Sequence, residues 1–180
     1  AAIPDEAVRQ RVIDVLAAIA VLVIAAPFIL IFGILVRLES KGPAIFRQQR
    51  TGFRGNPFTC YKLRSMQVGH AGPHFTREGD ARITRIGAFI RKYRIDELPQ
   101  IYNIVRGDMS WIGPRPEAVE LAEIYEQQIP FYIYRHAVRP GISGWAAVNQ
   151  GNVAEVGAIT IKLQFDFFYI KHCSLWLVNA

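Results

Sequence analysis

The feature that most constrains this chain is a run of 22 uncharged, apolar residues from Val15 to Val36. As one straight helix the run would measure about 33 Å, enough to cross a bilayer core of ~30 Å. It is apolar on every face, which favours a membrane helix over a surface helix of a water-soluble domain. It is also too long for the apolar part of a cleaved signal peptide, and no small-residue cleavage site follows it. The run therefore predicts a membrane helix.

Two topologies are open for this helix. Pro27 lies near its centre, where it removes a backbone hydrogen bond and is expected to kink the helix. Both ends are flanked by basic residues, so the positive-inside rule gives no direction. The helix either spans the bilayer and tolerates Pro27, or enters one leaflet, breaks at Pro27 and returns. Arg11 and Asp14 share one face, and we expect them to pair at the membrane surface.

Charge is concentrated in the middle of the chain. The 180 residues carry a net charge of +6, whereas residues 37–115 alone carry +9. Such a cationic region suits the phosphates of nucleotides, nucleic acids or lipid headgroups. A hydrophobic fraction of 51% argues against disorder. Cys60 and Cys173 match neither a zinc-site spacing nor a disulfide framework.

Local patterns predict an α+β domain after the membrane helix. Two short strands joined by glycine-containing turns are followed by several helical segments. The last two of these are amphipathic and carry aromatic residues suited to the headgroup level of a bilayer. In chain order the predicted elements are strands at Ala44–Phe46 and Pro57–Tyr61, and helices at Ile83–Arg94, Glu97–Arg106, Glu117–Gln128 and Ile159–Tyr169.

Two adjacent carboxylates, Asp96 and Glu97, stand at the predicted start of the second helix. Carboxylates in this position commonly cap a helix, and Asp96 is a suitable N-cap. Here, however, they lie within the basic region, where arginines and a helix N-terminus would lower the pKa of Asp96 and bind a phosphate beside it. An ionised aspartate can attack phosphorus, and two carboxylates with substrate phosphates suit Mg²⁺. Capping and catalysis both remain open from the residues alone.

Other basic residues in this region allow similar alternatives. Pro114 and Pro116 fix the backbone around Arg115, which presents a rigid guanidinium to a phosphate or a base edge. The same segment could equally be a rigid turn with an incidental arginine. Lys62 and Arg64 follow the second strand, and without further context they would form a solvated face or contact lipid headgroups.

Taken in order, the motifs of the chain closely resemble the bacterial sugar transferase family. These enzymes are monotopic phosphoglycosyl transferases that begin glycan assembly on polyprenyl phosphate. The resemblance extends from about Val8 to Leu177, in the family's order and spacing. It rests on these segments: Gly42-Pro43, Arg47-Gln48-Gln49-Arg50, Tyr61 to Met66, Arg82-Ile83-Thr84, Asp96 to Gln100, Asn103, Gly107 to Ser110, Gly113 to Pro116 and Arg139 to Gly144.

The resemblance implies a fold and a reaction. Residues 1–38 would form a Pro27-broken re-entrant membrane helix, and residues 39–180 a mostly helical α+β catalytic domain with a short β-hairpin and interfacial helices. The domain would lie on the cytoplasmic face of the bacterial inner membrane. It would transfer a sugar 1-phosphate from a UDP-sugar to undecaprenyl phosphate, release UMP and use Mg²⁺. Implied partners are membrane lipid and downstream glycosyltransferases but not nucleic acid, and homo-oligomerisation is left open.

The resemblance also implies roles for individual residues. Asp96 would be the nucleophile that forms an aspartyl phosphosugar ester, and Glu97 would assist with Mg²⁺ or with the proton of the lipid phosphate. Both would be metal ligands. The implied substrate-binding residues are Lys62, Arg64, Arg91, Pro114, Arg115, Pro116 and Arg139.

The chain departs from the family pattern in two places, and one alternative class of protein stays open. Many relatives have Ser before the helix-breaking proline, whereas this chain has Ala26. The segment after Leu177 departs from the family, which suggests a truncated C-terminus. The alternative is a non-catalytic membrane protein that binds anionic lipid or nucleic acid through its basic middle third. Such binding needs Lys and Arg but gives no reason for the Asp96–Glu97 pair or for a proline-locked arginine.

Overall fold

One long N-terminal helix lies along a small, mostly helical domain, which confirms the predicted α+β class. The computed structural model describes residues 4–68, 80–150 and 156–172. The departure from the family pattern after Leu177 lies outside these described residues. The helices are α1 (Pro4–Glu39), α2 (Arg85–Lys92), α3 (Gln100–Arg106), α4 (Val119–Gln128), α5 (Trp145–Asn149) and α6 (Val156–His172). The strands are β1 (Ile45–Thr51), β2 (Pro57–Leu63), β3 (Ser110–Ile112) and β4 (Gly141–Ser143), and short 3-10 turns cover Phe53–Gly55, Ile95–Glu97 and Tyr132–Ala137.

Helix α1 is longer than the apolar run and continues through Pro27. Helical structure is therefore unbroken at Pro27, whereas the expected kink and the re-entrant path stay predictions. Proline lacks the backbone N–H and crowds the preceding turn, but the helix is helical on both sides of it. The helix is long and apolar enough to cross a membrane.

A stripe of small side chains along α1 faces the domain. Ala18 and Ala25 are buried against Ile101 and Ile104 of α3, together with residues of β2. Farther along, Val36 is buried between Leu63 and Ile90 in a separate cluster. Because small residues let helix backbones approach closely, this stripe seats the helix against the domain. Most of the larger apolar side chains of α1, such as Val23, point away from the domain and are exposed.

Polar contacts fasten the N-terminal part of α1 to the domain. Arg11 donates to the carbonyl oxygens of Ile104 and Val105 at 2.6 and 3.0 Å, which satisfies orphan carbonyls at the end of α3. Asp14 is buried and accepts a hydrogen bond from Ser110 Oγ at 2.7 Å. The expected Arg11–Asp14 pair does not form, because each side chain has a partner in the domain.

The β1–β2 hairpin confirms the two predicted strands, each extended by a few residues. The strands are antiparallel, with Ile45 opposite Leu63 and Thr51 opposite Pro57. Helix α2 follows with Thr84 as its N-cap, whose hydroxyl accepts from the Gly87 backbone N–H at 2.9 Å. The middle of the chain thus packs on the hairpin and α2.

The C-terminal part of the domain packs around a second group of side chains. Ala122 and Tyr125 of α4 contact Tyr132 of the 3-10 turn and Leu163 of α6, all of them buried. Helices α4 and α6 confirm the two predicted helical segments, whereas their interfacial role stays a prediction. Their aromatic residues divide between core and surface, since Tyr132 is buried whereas neighbouring Phe131 is 68% exposed.

Candidate active site

The Asp96–Glu97 pair lies in a 3-10 turn rather than at the start of an α-helix. The turn covers Ile95–Glu97 and follows Arg94, which adopts a left-handed backbone with φ of 58°. Helix α3 begins only at Gln100, and no side chain caps it. The predicted helix start at Glu97 and the predicted N-cap role of Asp96 are both wrong. The left-handed Arg94 turns the chain sharply and directs both carboxylates into the domain, where they are buried.

Glu97 is held by three cations. Its Oε1 accepts from Lys62 Nζ at 2.9 Å and from Arg115 Nη2 at 2.7 Å, and Arg94 Nη1 lies 3.6 Å away. Burial alone would raise the pKa of Glu97, but Arg115 and Lys62 outweigh it and lower that pKa to about 2. One carboxylate oxygen of Glu97, in the 3-10 turn, thus binds both the lysine of β2 and the proline-flanked arginine.

Asp96 has the opposite environment. Its Oδ1 is buried and has no hydrogen-bond partner among the described residues. Burial raises the pKa of Asp96, and the adjacent Glu97 adds to the rise, although Lys62 and Arg91 oppose it. The sequence predicted a lowered pKa, and that prediction is wrong because desolvation exceeds the effect of the nearby cations.

Arg91 lies on the Asp96 side of the pair. Its charge lowers the pKa of Asp96, and its Nη1 is buried without a hydrogen-bond partner within the described residues. Leaving buried polar atoms such as these two without partners is costly. Both atoms are therefore suited to a ligand that carries anionic oxygens and a cation.

Two guanidinium groups hold the backbone carbonyls of Arg115 and of the residue that follows it. Arg135 Nη2 donates to the carbonyl oxygen of Arg115 at 3.0 Å, and Arg50 Nη1 donates to that of Pro116 at 2.5 Å. The proline-flanked segment contains Pro114 and Pro116, both buried. A Cβ on Gly113 would lie 2.4 Å from the carbonyl oxygen of Arg139, so only glycine fits there.

Arg135 belongs to a buried ionic network behind this loop. Its Nη2 lies 2.8 Å from Asp166 Oδ2, and its Nη1 donates to Tyr132 Oη at 2.8 Å. Lys162 Nζ lies 2.5 Å from Glu117 Oε1 in the same region. Sequence reasoning did not select Arg135 or Asp166. The available signal was a single charge within each of two aromatic segments, which indicates a charge that needs a buried partner.

Two predicted substrate-binding residues lie elsewhere. Arg64 Nη2 donates to the carbonyl oxygen of Ser40 at 2.7 Å and to that of Val36 at 3.3 Å, and its Nη1 donates to Lys41. Arg64 therefore caps the C-terminal end of α1, where a cation also complements the helix dipole.

Arg139 is likewise engaged outside the pair. Its Nε donates to the carbonyl oxygen of Gly107 at 3.1 Å, and its guanidinium lies over the Phe53 ring. Of the predicted substrate-binding side chains, the structure brings Lys62, Arg91 and Arg115 to the Asp96–Glu97 pair, with Pro114 and Pro116 flanking the last.

A cavity of about 350 Å³ opens beside Glu97. Arg94 and Arg115 join Glu97 on its polar side, and Ser143 adds a hydroxyl. The remaining lining is apolar and includes Val21 of α1, so the membrane helix forms part of the wall. We call this space the α1 cavity.

The pair also fits a magnesium ion that arrives with a substrate. In the described parts of the chain no group of three or more His, Cys, Asp or Glu side chains forms a protein-only metal site. Mg²⁺ commonly takes one or two carboxylates and completes its shell with substrate phosphates and water. The unpartnered Oδ1 of Asp96 is such an oxygen, whereas Oε1 of Glu97 is already shared by cations.

Comparison with known proteins finds similar sequences over almost the whole chain. A family model described as bacterial sugar transferase matches residues 5–179. A UDP-N-acetylgalactosamine-undecaprenyl-phosphate N-acetylgalactosaminephosphotransferase of Aeromonas hydrophila is 48% identical over 97% of this chain. A UDP-glucose:undecaprenyl-phosphate glucose-1-phosphate transferase of Caulobacter vibrioides is 42% identical over 93% of it. The exopolysaccharide production protein PSS of Rhizobium leguminosarum bv. phaseoli is 35% identical over 93%.

The coverage of these relatives differs. The chain spans 42% of the Aeromonas protein, 64% of the Caulobacter protein and 88% of the Rhizobium protein. The match nevertheless includes α1, the hairpin, the carboxylate pair and the proline-flanked arginine in one continuous alignment of the family. The chain therefore belongs to the bacterial sugar transferase family.

Proposed function

We propose that this protein transfers a sugar 1-phosphate from a UDP-sugar to a polyprenyl phosphate and releases UMP. The observation that carries the proposal is the buried, unpartnered Oδ1 of Asp96 beside a Glu97 neutralised by Lys62 and Arg115. The names of the Aeromonas and Caulobacter relatives support the reaction class and undecaprenyl phosphate as acceptor. The Rhizobium relative supports a role in polysaccharide production, in which glycosyltransferases would extend the lipid-linked sugar.

The first step is attack on the sugar-bearing phosphate. An Asp96 carboxylate oxygen forms a bond to the β-phosphorus of the UDP-sugar, and the bond from that phosphorus to the oxygen bridging the two phosphates breaks. UMP leaves with the electron pair, and the enzyme carries an aspartyl phosphosugar ester. Desolvation of Asp96 favours attack, since water does not shield the nucleophile.

In the second step the acceptor restores the carboxylate. A phosphate oxygen of the polyprenyl phosphate forms a bond to the same phosphorus, and the bond to Asp96 breaks. The product is a polyprenyl diphosphate sugar. If the acceptor arrives singly protonated, its proton passes to solvent or to a basic group of the product.

Glu97 serves in this scheme as a positioning residue for two cations. Lys62 and Arg115 both bind its Oε1, which fixes them where negative charge develops on the transferred phosphate. A carboxylate with a pKa of about 2 is a weak proton acceptor at neutral pH, so the geometry favours positioning over proton transfer. Mg²⁺ would be held by Asp96 with the diphosphate, and when bound it supplies charge neutralisation of the leaving UMP.

The same proposal places the protein on one side of the membrane. Contacts between α1 and the domain extend from Arg11 to Val36, which is about 38 Å of helix. Crossing a hydrocarbon core of ~30 Å would carry the polar contacts of the domain into lipid, at a high cost for each unsatisfied group. A re-entrant helix in one leaflet avoids this cost. Since UDP-sugars are cytoplasmic nucleotides, the face is the cytoplasmic side of the inner membrane.

Covalent labelling tests the nucleophile. The full chain in lipid nanodiscs is mixed with Mg²⁺ and a UDP-sugar radiolabelled in the sugar, without acceptor. We expect labelled protein and one equivalent of UMP. Asp96→Asn keeps the side-chain shape but removes the nucleophile, so neither product should form.

The matched control is Glu120→Gln, which removes an exposed carboxylate on α4 and should label normally. Normal turnover of Asp96→Asn would exclude it as nucleophile and favour direct attack by the lipid phosphate. The donor sugar is identified in the same assay with a panel that includes UDP-N-acetylgalactosamine and UDP-glucose, the sugars named in the relatives.

A further inference from the structure

The α1 cavity has its charges at one side only. Glu97, Arg94 and Arg115 lie on that side, and the rest of the wall is largely apolar. The apolar part is contributed by separate elements: α1, α3, β3, β4 and α5. A cavity of this kind accepts a ligand with an anionic head and an apolar body.

The apolar part of the cavity does not suit the sugar and diphosphate of the donor. These groups are polar, and placing them against Val21, Ile142 and Val148 would desolvate them without offering partners. The acceptor has the complementary chemistry, because its phosphate is followed directly by an isoprenoid chain.

We propose that the α1 cavity binds the phosphate and the first isoprene units of the acceptor. Arg94 is the phosphate-binding residue, and Trp111, Ile142 and Val148 contact the chain. The proposal rests on the transferase function above and adds to it a site for one of the two substrates. At about 350 Å³ the cavity is near the lower end of the range of roughly 300–1,000 Å³ for small-ligand sites. It therefore takes the headgroup end, and the remainder of the chain lies in the bilayer beside α1.

Arg94 is suited to a mobile anionic ligand. Its side chain is 61% exposed, and its Nη1 lies 3.6 Å from Glu97, a longer contact than those of Lys62 and Arg115. Lys62 and Arg115 are committed to Glu97, whereas Arg94 can turn to a phosphate at small cost. The left-handed backbone of Arg94 places its side chain at the cavity rather than along α2.

Val148 marks the opening of the cavity. It lies on α5 and is 75% exposed, although it is an apolar side chain next to a wall contributed by the membrane helix. Trp111 forms another part of that wall, and its indole N–H donates to the backbone carbonyl of Asp14 in α1 at 3.2 Å. The ring is thus fixed against α1, so the lining on this side is preformed.

Steady-state kinetics with the full chain in nanodiscs test the proposal. UMP release is measured while polyprenyl phosphate and UDP-sugar are varied separately. Arg94→Gln should raise the KM for polyprenyl phosphate at least about tenfold, as expected for loss of a charge-assisted hydrogen bond. Val148→Asp, which places a charge where the chain lies, should raise the same KM. Both variants should leave the KM for UDP-sugar unchanged.

A control outside the cavity separates it from general effects. Ile124→Asp introduces the same charge as Val148→Asp at another exposed apolar position, on α4, and should leave the KM for polyprenyl phosphate unchanged. A rise in the KM for UDP-sugar in place of the acceptor would show that the nucleotide occupies the cavity and would overturn the proposal.

A binding measurement makes the test independent of turnover. A photoreactive farnesyl phosphate should label the wild-type chain, with less labelling in Val148→Asp and Arg94→Gln. Excess polyprenyl phosphate should compete, whereas inorganic phosphate or UDP should not. If no UDP-sugar gives UMP with the wild type, the transferase function fails while this labelling still decides the site. Equal labelling of all variants would refute the site even in an active enzyme.

Discussion

Asp96 and Glu97 are neighbours in sequence and opposites in environment. Glu97 shares one oxygen with Lys62 and Arg115, whereas Asp96 has an oxygen without a partner among the described residues. Removing charge from each therefore has different consequences for folding. Breaking a buried ion pair leaves uncompensated charge, but neutralising an unpaired buried carboxylate relieves a desolvation cost.

At this scale we predict that Glu97→Gln destabilises the protein and that Asp96→Asn does not. The glutamine leaves Lys62 and Arg115 without a buried counter-charge, which should cost about 3 kcal/mol. Asp96→Asn should keep or raise the melting temperature while abolishing activity. Thermal melting of the two purified variants in the same detergent checks this. Equal losses of stability would mean that Asp96 is also paired in the folded protein.

At the scale of elements, the loop around Arg115 depends on side chains from distant parts of the chain. Arg50 comes from β1, Arg135 from the 3-10 turn before β4, and Asp166 from α6. Arg135 both pairs with Asp166 and donates to the Arg115 carbonyl oxygen. We therefore expect the Arg135 charge to contribute to stability. We expect its hydrogen bond to the loop to contribute to catalysis.

A pair of variants separates these two roles. Arg135→Met leaves Asp166 buried without its partner, and we expect a loss of about 3–5 kcal/mol. Arg135→Met combined with Asp166→Leu removes both charges and should recover most of the stability. The Arg115 carbonyl still lacks its donor, so kcat should stay low in the double variant. Melting temperature and kcat, measured on the same preparations, give the result; recovery of both would make Arg135 purely structural.

Elements that depend on local pattern were predictable, and those that depend on distant partners were not. The β1–β2 hairpin and the helices α2, α4 and α6 follow from local sequence pattern and turn residues. The late start of α3 does not, since a left-handed Arg94 and a 3-10 turn have no distinct sequence signature. The pKa of Asp96 was mispredicted for a related reason: neighbouring charges can be read from a sequence, but burial cannot.

Contacts over long separations explain the remaining differences. Arg64 was expected at the substrate because it is basic and near Lys62. Residues two apart in a strand share a face, but β2 ends at Leu63, so Arg64 lies beyond the strand and is not held on the Lys62 face. Lys62 reaches Glu97, while Arg64 caps α1. Arg135 and Asp166 are 31 residues apart, and only the fold shows that they meet.

At the scale of the whole molecule, α1 is both membrane anchor and structural neighbour of the active site. It is fastened at Arg11 and Asp14 near its start and at Val36 near its end. It also supplies Val21 to the cavity beside Glu97. Both ends of the helix should therefore lie on the same side of the membrane as the domain.

Site-directed labelling checks this prediction. Asp5→Cys and Lys41→Cys are introduced separately in a Cys60→Ser, Cys173→Ser background. A membrane-impermeant maleimide should label both in inside-out vesicles and neither in right-side-out vesicles. Val23→Cys, in the middle of the apolar run, is the shielded control and should react in neither. Labelling of the two ends from opposite sides would establish a spanning helix.

The long separation between α1 and its partners also sets an order of events during synthesis. Arg11 and Asp14 leave the ribosome more than 90 residues before the Ile104 and Ser110 groups that they bind. At a translation rate of 5–20 residues per second, this interval is roughly 5–20 s. The apolar run thus meets the bilayer while its small-residue stripe is still uncovered. The nascent domain must then close onto a helix already in the lipid, so a fragment that starts after α1 would emerge with Ile101 and Ile104 uncovered.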